Sequence, residues 1–217
     1  GGVLSDDRKT STLSSEGSLA GWQAYVDLWN KHKVAKPLGI DVGGDAFLLE
    51  KAALTFNIPG IRPAYRTNIA DKFEWDVVVV PSHPKGRWTG MGTFGFAVSA
   101  NTKQPKEAWD FTKYLASPAA QLIMARSYAG IPLLKSMADD ERWLNLPPPP
   151  ANNAAFTKSA ELGIPMYIYP EECGSIYGGM AGQAISAALE KAIRGQGAVP
   201  ELFGAADEEI QSCLDTA

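Results

Sequence analysis

The amino-acid sequence predicts an α/β fold. Three observations carry the expectation: runs of strand-forming residues at 53–57, 75–81 and 96–99, stretches of helical periodicity around them, and a last quarter that reads as helix. With 217 residues, 45% of them hydrophobic and 20% charged, the chain is long enough for one large domain or two small ones and apolar enough to bury a core.

The first helix is expected from a cap at Ser14 or Ser15 to about Lys33. Leu19, Trp22, Val26 and Trp29 recur there at intervals of three and four, and Pro37 follows. An aromatic stripe at that spacing reads as a core face. Gly43-Gly44-Asp45 leads into a short helical stretch over 46–51, and Ala53-Leu54-Thr55-Phe56-Asn57 reads as a strand stopped by Pro59-Gly60. Trp75-Asp76-Val77-Val78-Val79-Val80-Pro81 reads as a strand buried on both faces, because β-branched residues fill it without polar alternation. A turn over 82–87 and the stretch Gly90-Met91-Gly92-Thr93-Phe94-Gly95 then open a further strand, Phe96-Ala97-Val98-Ser99.

Gln104-Pro105 starts a helix with Ala108, Phe111, Thr112 and Leu115 on one face. Ser117-Pro118 caps and starts a second, expected to run to Ala129 and stop at Gly130. Four consecutive prolines within 146–151 predict a stiff polyproline II connector. Beyond it the sequence predicts a short helix from Asn152 or Asn153 to Leu162 and an Ala-rich helix over 176–194 ended by Gly195. A last helix over 199–214 places Leu202, Ala206, Ile210 and Cys213 on one side.

Charge excludes some partners. Twenty Lys and Arg against twenty-four Asp and Glu give a net charge of −4 with the signs interspersed, which disfavours a nucleic-acid or anionic-membrane surface. No window approaches the ~20 apolar residues that span a bilayer. The opening Gly1-Gly2-Val3-Leu4-Ser5-Asp6-Asp7 has no initiator Met and no leader, and is expected to be a turn within a larger protein. Cys173 and Cys213 fit no metal spacing; two free thiols are expected, with an extracytoplasmic disulfide as the alternative.

The order of motifs then matters more than any one of them. Trp75-Asp76-Val77 to Pro81, a Lys-Gly turn, the Gly-rich stretch, Asn101 and Lys103, Glu107-Ala108-Trp109-Asp110-Phe111 to Tyr114-Leu115, Ser117-Pro118 with Gln121, Gly130-Ile131-Pro132 and Lys135-Ser136 follow in series. That series resembles the C-terminal half of the extracellular solute-binding proteins of carbohydrate ABC importers, the maltose-binding-protein-like group. The resemblance implies a periplasmic-binding-protein-like two-lobed α/β fold, here lacking its N-terminal segment. It allots 1–52 to the C-terminal lobe, 53–115 to the N-terminal lobe, 116–129 to a crossing helix and 130–217 to the C-terminal lobe again. It also implies a periplasmic or extracellular location, a small sugar or polyol ligand, and an ABC permease as partner. Membrane contact would come only through that permease or a lipid anchor outside this chain. Where similar proteins carry a Gly-x-Trp or Gly-Pro-Trp, this chain has Asn57-Ile58-Pro59-Gly60-Ile61-Arg62, so the usual stacking aromatic is missing.

A sugar presents apolar C–H faces and a rim of hydroxyls, so its sites pair aromatic platforms with planar polar groups. The expected ligand-binding residues are Arg62, Trp88, Gly90, Gly92, Thr93, Phe94, Tyr169, Glu172 and Tyr177, with Tyr167 a further candidate. Each has a plainer alternative: Trp88 as a cover for the Lys-Gly turn, Arg62 as a solvated charge, Tyr177 as a core residue. The Gly90-to-Gly95 stretch literally matches G-x-G-x-x-G, but that fingerprint needs a preceding strand and a following helix, and here a turn precedes and a β-like run follows. Glycines that let a sugar approach the backbone, or that serve a tight strand entry, are the competing readings.

No catalytic residue, metal site or cofactor is expected. His32 and His83 are the only histidines and have no partner at metal spacing, and Glu171-Glu172 and Asp139-Asp140-Glu141 are adjacent acids whose side chains diverge. The sequence therefore predicts a non-enzymatic receptor. The alternatives are a glycoside or thiol hydrolase, or an interaction module using Trp22, Trp29 and the Pro-rich segment. A chain with open strand edges is also expected to self-associate or to hold a separate N-terminal fragment.

Overall fold

The computed structural model describes residues 2–36, 43–92, 95–165, 169–174 and 178–217. Among them, eight α-helices follow in chain order: α1 (Glu16–Asn30), α2 (Arg62–Ile69), α3 (Pro105–Leu115), α4 (Pro118–Arg126), α5 (Glu141–Leu144), α6 (Ala154–Glu161), α7 (Gly179–Ile193) and α8 (Val199–Leu214). Two short strands, β1 (Thr89–Met91) and β2 (Gly163–Pro165), pair in parallel with Gly90 opposite Ile164. The chain divides into two compact units, one built from 1–41 and 167–217, the other from 42–166.

In the first unit, α1, α7 and α8 enclose an apolar core of Leu4, Leu13, Val26, Tyr169, Cys173, Phe203 and Ile210 with the alanine face of α7. The stripe on α1 is a core face as its spacing predicts: Val26 is buried, Leu19 and Trp22 pack against the cluster, and Trp22 stacks on Phe203 at 4.6 Å. Small residues at 181, 184, 188 and 192 let α7 approach its neighbours closely. Ser15 holds the N-cap position of α1, but its side chain makes no capping bond. The hydroxyls of Ser11 and Ser14 and the Leu13 amide instead donate to the Asp207 carboxylate, which fastens the entry loop to α8.

Cys173 and Cys213 form a disulfide, with Cα atoms 5.8 Å apart. This overturns the expectation of free thiols. Their positions in the sequence suggested one loop cysteine and one on a helical face, but the fold brings the turn at Glu171–Cys173 onto α8, with Cys173 fully buried.

The second unit has a core of another kind. Tyr65, Ile69, Ala120, Ala125, Met137, Trp143 and Ala155 are buried together with three polar residues, Arg62, Gln121 and Asn153. Gln121 donates to the Leu115 carbonyl at 2.9 Å and accepts from the Leu133 amide at 3.0 Å, clipping both ends of α4 to the chain around it. The Trp143 indole donates to the Met137 carbonyl. Phe47, Tyr65, Phe73 and Trp75 form a chain of aromatic contacts with centroids 5.3 to 5.8 Å apart. Burial raises the Tyr65 pKa, and its hydrogen bond to Asp45 raises it further.

Helices α3, α4, α6, α7 and α8 lie close to their expected positions, although α4 ends at Arg126 rather than Ala129. Helix α2 fills a stretch in which no element is expected from sequence. The three expected strands are absent: 53–57, 75–81 and the described residues 95–99 have no ladder. The expected burial of 77–80 on both faces also fails, since Val78 is 77% exposed. A β-branched run states a preference for extended backbone, but a strand exists only where a neighbour completes its hydrogen bonds. Nor do the prolines form an extended connector. Residues 147–151 bend, the 148–149 and 149–150 peptide bonds are cis, and Pro150 is buried.

Candidate functional site

Six of the nine expected ligand-binding residues lie within the described residues; Thr93, Phe94 and Tyr177 lie outside them, as does Tyr167. Arg62, Trp88, Gly90 and Gly92 belong to the unit of 42–166, and Tyr169 and Glu172 to the other.

Arg62 is 1% exposed at the start of α2. Its guanidinium donates to the Pro59 carbonyl at 3.0 Å, to Asn153 Oδ1 at 2.9 Å and to the Gly130 carbonyl at 2.6 Å, and lies 4.5 Å from the Phe156 ring centroid. Burial pushes its pKa down to about 10, so it stays charged at neutral pH. The planar fork thus holds α2, the 130 turn and the start of α6 together. Arg66, one turn on, stacks on Tyr128 and donates to the carbonyls of Pro147 and Pro149.

Trp88 is 55% exposed. Its indole lies over Gly86, where a Cβ would sit 2.3 Å from the ring, and Gly86 has φ +142°. The sharp turn from His83 to Gly86 and the covering ring therefore both require glycine at 86. Gly90 sits inside β1, and Gly92 follows it, exposed. The strand begins the glycine motif instead of following it, and no helix starts between Met91 and Pro105 among the described residues, so the nucleotide fingerprint lacks its helix. On the partner strand, a Cβ at Gly163 would meet the Ala160 carbonyl and Met91 Sδ at 2.9 Å. The close β1–β2 approach depends on that glycine.

Tyr169 is 2% exposed in the core of its unit, with its hydroxyl 3.5 Å from the Val3 carbonyl. Burial, reinforced by Asp207, raises its pKa to about 12. The unfolded chain loses this proton near the ordinary tyrosine value of about 10. Between there and about 12 the folded state binds more protons, and its stability falls as pH rises. We expect urea midpoints to drop across that window and Tyr169→Phe to make the drop shallower. Glu172, by contrast, is exposed on the turn that ends in Cys173.

A groove of about 880 Å³ in the second unit was not foreseen from sequence. Residues 70–76 form one wall and Pro148, Pro149 and Ala151 the other, with Phe73 and Trp75 beside Asp71, Glu74 and Asp76. The Trp75 indole N–H is buried there with no protein acceptor among the described residues. The expected strand over 75–81 hid this groove, because a paired strand would not wrap around a proline bend. No group of histidine, cysteine and carboxylate side chains with metal-binding geometry occurs among the described residues.

Residues 1–156 match the family of bacterial extracellular solute-binding proteins. The chain belongs to that family. Membership carries the expected location, on the periplasmic or extracellular side of the membrane; no described helix is long and apolar enough to cross a bilayer. No curated protein sequence matches this chain. Solved structures do. The GacH receptor of Streptomyces glaucescens, solved unliganded and with acarbose, superposes with a TM-score of 0.78 at 16% identity over 99% of this chain and 54% of its own. The ABC substrate-binding protein of Listeria monocytogenes, in complex with cycloalternan, gives 0.74 at 15% over 98% and 53%. The maltose-bound T. maritima MalE3 gives 0.73 at 20% over 98% and 54%. At these identities the likeness establishes the fold alone, the two-lobed α/β fold these structures share. The chain spans about half the length of the structures it matches.

Proposed function

We propose that this chain is part of a receptor that captures a sugar or related polyol in an interlobe cleft and delivers it to an ABC importer permease, without chemical turnover. Family membership over residues 1–156 carries the reading. The structures of like fold, solved with acarbose, cycloalternan and maltose, support the ligand class. The lobe allotment of 1–52, 53–115, 116–129 and 130–217 is part of this proposal, although compactness groups 130–166 with 42–129. Trp88, more than half exposed, serves as the aromatic platform, the exposed backbone at Gly92 offers a polar contact, and Glu172 and Tyr177 are further proposed ligand residues. Thr93 and Phe94 complete the glycine stretch. Arg62 and Tyr169 are buried and act on the ligand only by holding other residues in place. A thiol hydrolase has no support, because both cysteines are joined in the disulfide.

Calorimetry of the chain against maltose, acarbose and cycloalternan, with product analysis in the same samples, tests the reading. A receptor gives saturable heat and unchanged sugar. A chain spanning about half of a receptor is expected to bind near the millimolar range, equivalent to about 4 kcal/mol. Trp88→Ala should weaken that binding by about tenfold, the worth of one stacked aromatic. Sugar cleavage, or no heat with any of the three at high concentration, would refute it.

A further inference from the structure

The groove between residues 70–76 and the proline bend takes no part in the sugar reading, since neither Trp88 nor Gly92 lines it. It is built to keep its shape. The Asn152 amide donates to Asp76 Oδ1 at 2.9 Å and the Asn152 side chain to the Val77 carbonyl at 3.1 Å, which pins one wall to the other. Arg66 on α2 holds the carbonyls of Pro147 and Pro149, and proline rings leave the bend few torsions to change. Phe73 and Trp75 are braced by rings set almost perpendicular to them, Phe47 at 5.5 Å and Tyr65 at 5.8 Å. A cavity held open in this way takes a ligand without first having to be ordered.

The lining sets the chemistry of the occupant. A volume of about 880 Å³ is that of a small-molecule site. Two aromatic rings and two prolines offer apolar surface to a ligand's body. The rim offers negative charge: Asp71, Glu74 and Asp76 are exposed there, against one lysine, Lys72, whose ammonium donates to the Asn68 carbonyl. The side chains of Asp71 and Glu74 have no ion pair and no hydrogen bond among the described residues, whereas Asp76 is used in holding the walls. Carboxylates beside aromatic rings favour a cation twice, by Coulomb attraction and by the ring quadrupole, and they repel an anion of the same shape.

We propose that this groove binds a small organic cation, an amine on an apolar stem, with the stem against Phe73, Trp75 and the prolines and the ammonium group at Asp71 and Glu74. The Trp75 indole N–H is buried without an acceptor among the described residues, so no hydrogen bond fixes that ring. A ligand that presses on the ring therefore registers at its indole N–H.

Two-dimensional NMR of the 217-residue chain tests it through the indole N–H resonances, the Trp75 signal being assigned by its backbone connectivities. The probe is phenethylamine at neutral pH, where it is a cation; phenylacetate and phenethyl alcohol present a like ring and stem with a negative charge and with none. Phenethylamine should shift the Trp75 resonance saturably, with half-saturation at about 1 mM, and the other two should need at least about tenfold more. Asp71→Asn combined with Glu74→Gln should weaken the amine about three- to tenfold and leave the thermal midpoint unchanged, because both side chains are exposed and unpaired. Maltose should leave the Trp75 resonance where it is. No Trp75 shift with the amine, equal shifts with all three compounds, or undiminished affinity in the double variant would overturn the proposal. A maltose shift at Trp75 would make the groove part of a sugar site and overturn it as well, while leaving the sugar reading standing.

Discussion

Replacing Cys173 and Cys213 together by alanine is expected to destabilise the unit of 1–41 and 167–217 by about 4 kcal/mol. The bridge closes a loop of sequence separation 40, and chain-entropy arguments value such a closure at roughly that amount. Little in the native state offsets the loss, because Cys173 is fully buried in an apolar cluster and alanine leaves a small void there. For a chain of this length the thermal midpoint should fall by about 10 °C. The loss should be confined to one unit: hydrogen exchange should accelerate in α7 and α8 while α4 and α6 keep their protection. Reductant should reproduce the effect in the native sequence and do nothing to the alanine pair. An unchanged midpoint under reducing conditions would show that the bridge constrains nothing. The bridge also bears on location, since such bonds form and persist outside the reducing cytoplasm.

Arg62→Ala is expected to have a comparable effect on the other unit, about 3–5 kcal/mol. The substitution leaves the buried Asn153 Oδ1 and the half-buried Pro59 and Gly130 carbonyls without their charged donor, and each orphaned buried acceptor costs about 1–3 kcal/mol. It also removes the cation stacked on Phe156. Arg62→Lys should recover less than half, because an ammonium cannot reach three acceptors arranged for a planar fork. Urea unfolding of the wild type and both variants measures this. If Arg62→Ala left stability unchanged but removed sugar heat in calorimetry, the side chain would be a ligand contact instead of a clamp.

The elements legible in the sequence were those whose signals are local. Gln104-Pro105 and Ser117-Pro118 mark helix starts through a missing amide and a capping hydroxyl, and Gly195 marks a stop; the structure places α3, α4 and the end of α7 accordingly. What failed depends on partners far along the chain. The strand at 53–57 has the right residues, but its ladder would have to come from elsewhere. The sequence offers Arg62 as a ligand contact or a solvated charge and not as a clamp, because its acceptors lie at 59, 130 and 153, and only Pro59 is a neighbour in sequence. The disulfide was illegible for the same reason. The alternating acids and aromatics at 71–76 became a groove wall only because the prolines at 148 and 149 bend against them.

The first unit is discontinuous, its two pieces separated by residues 42–166. During synthesis its N-terminal piece, including α1, is followed by about 125 residues of the other unit before its second piece begins. At about 5–20 residues per second that is a wait of about 6–25 s, in which Leu19, Trp22 and Val26 have no native cover. The unit of 42–166 is continuous and can collapse within that interval, so it should form before the unit of 1–41 and 167–217. Cys173 is made shortly after the unit of 42–166 is complete, and its partner follows at a sequence separation of 40. Oxidation of this pair therefore reports completion of the discontinuous unit, which makes thiol accessibility a natural clock for following this protein as it folds.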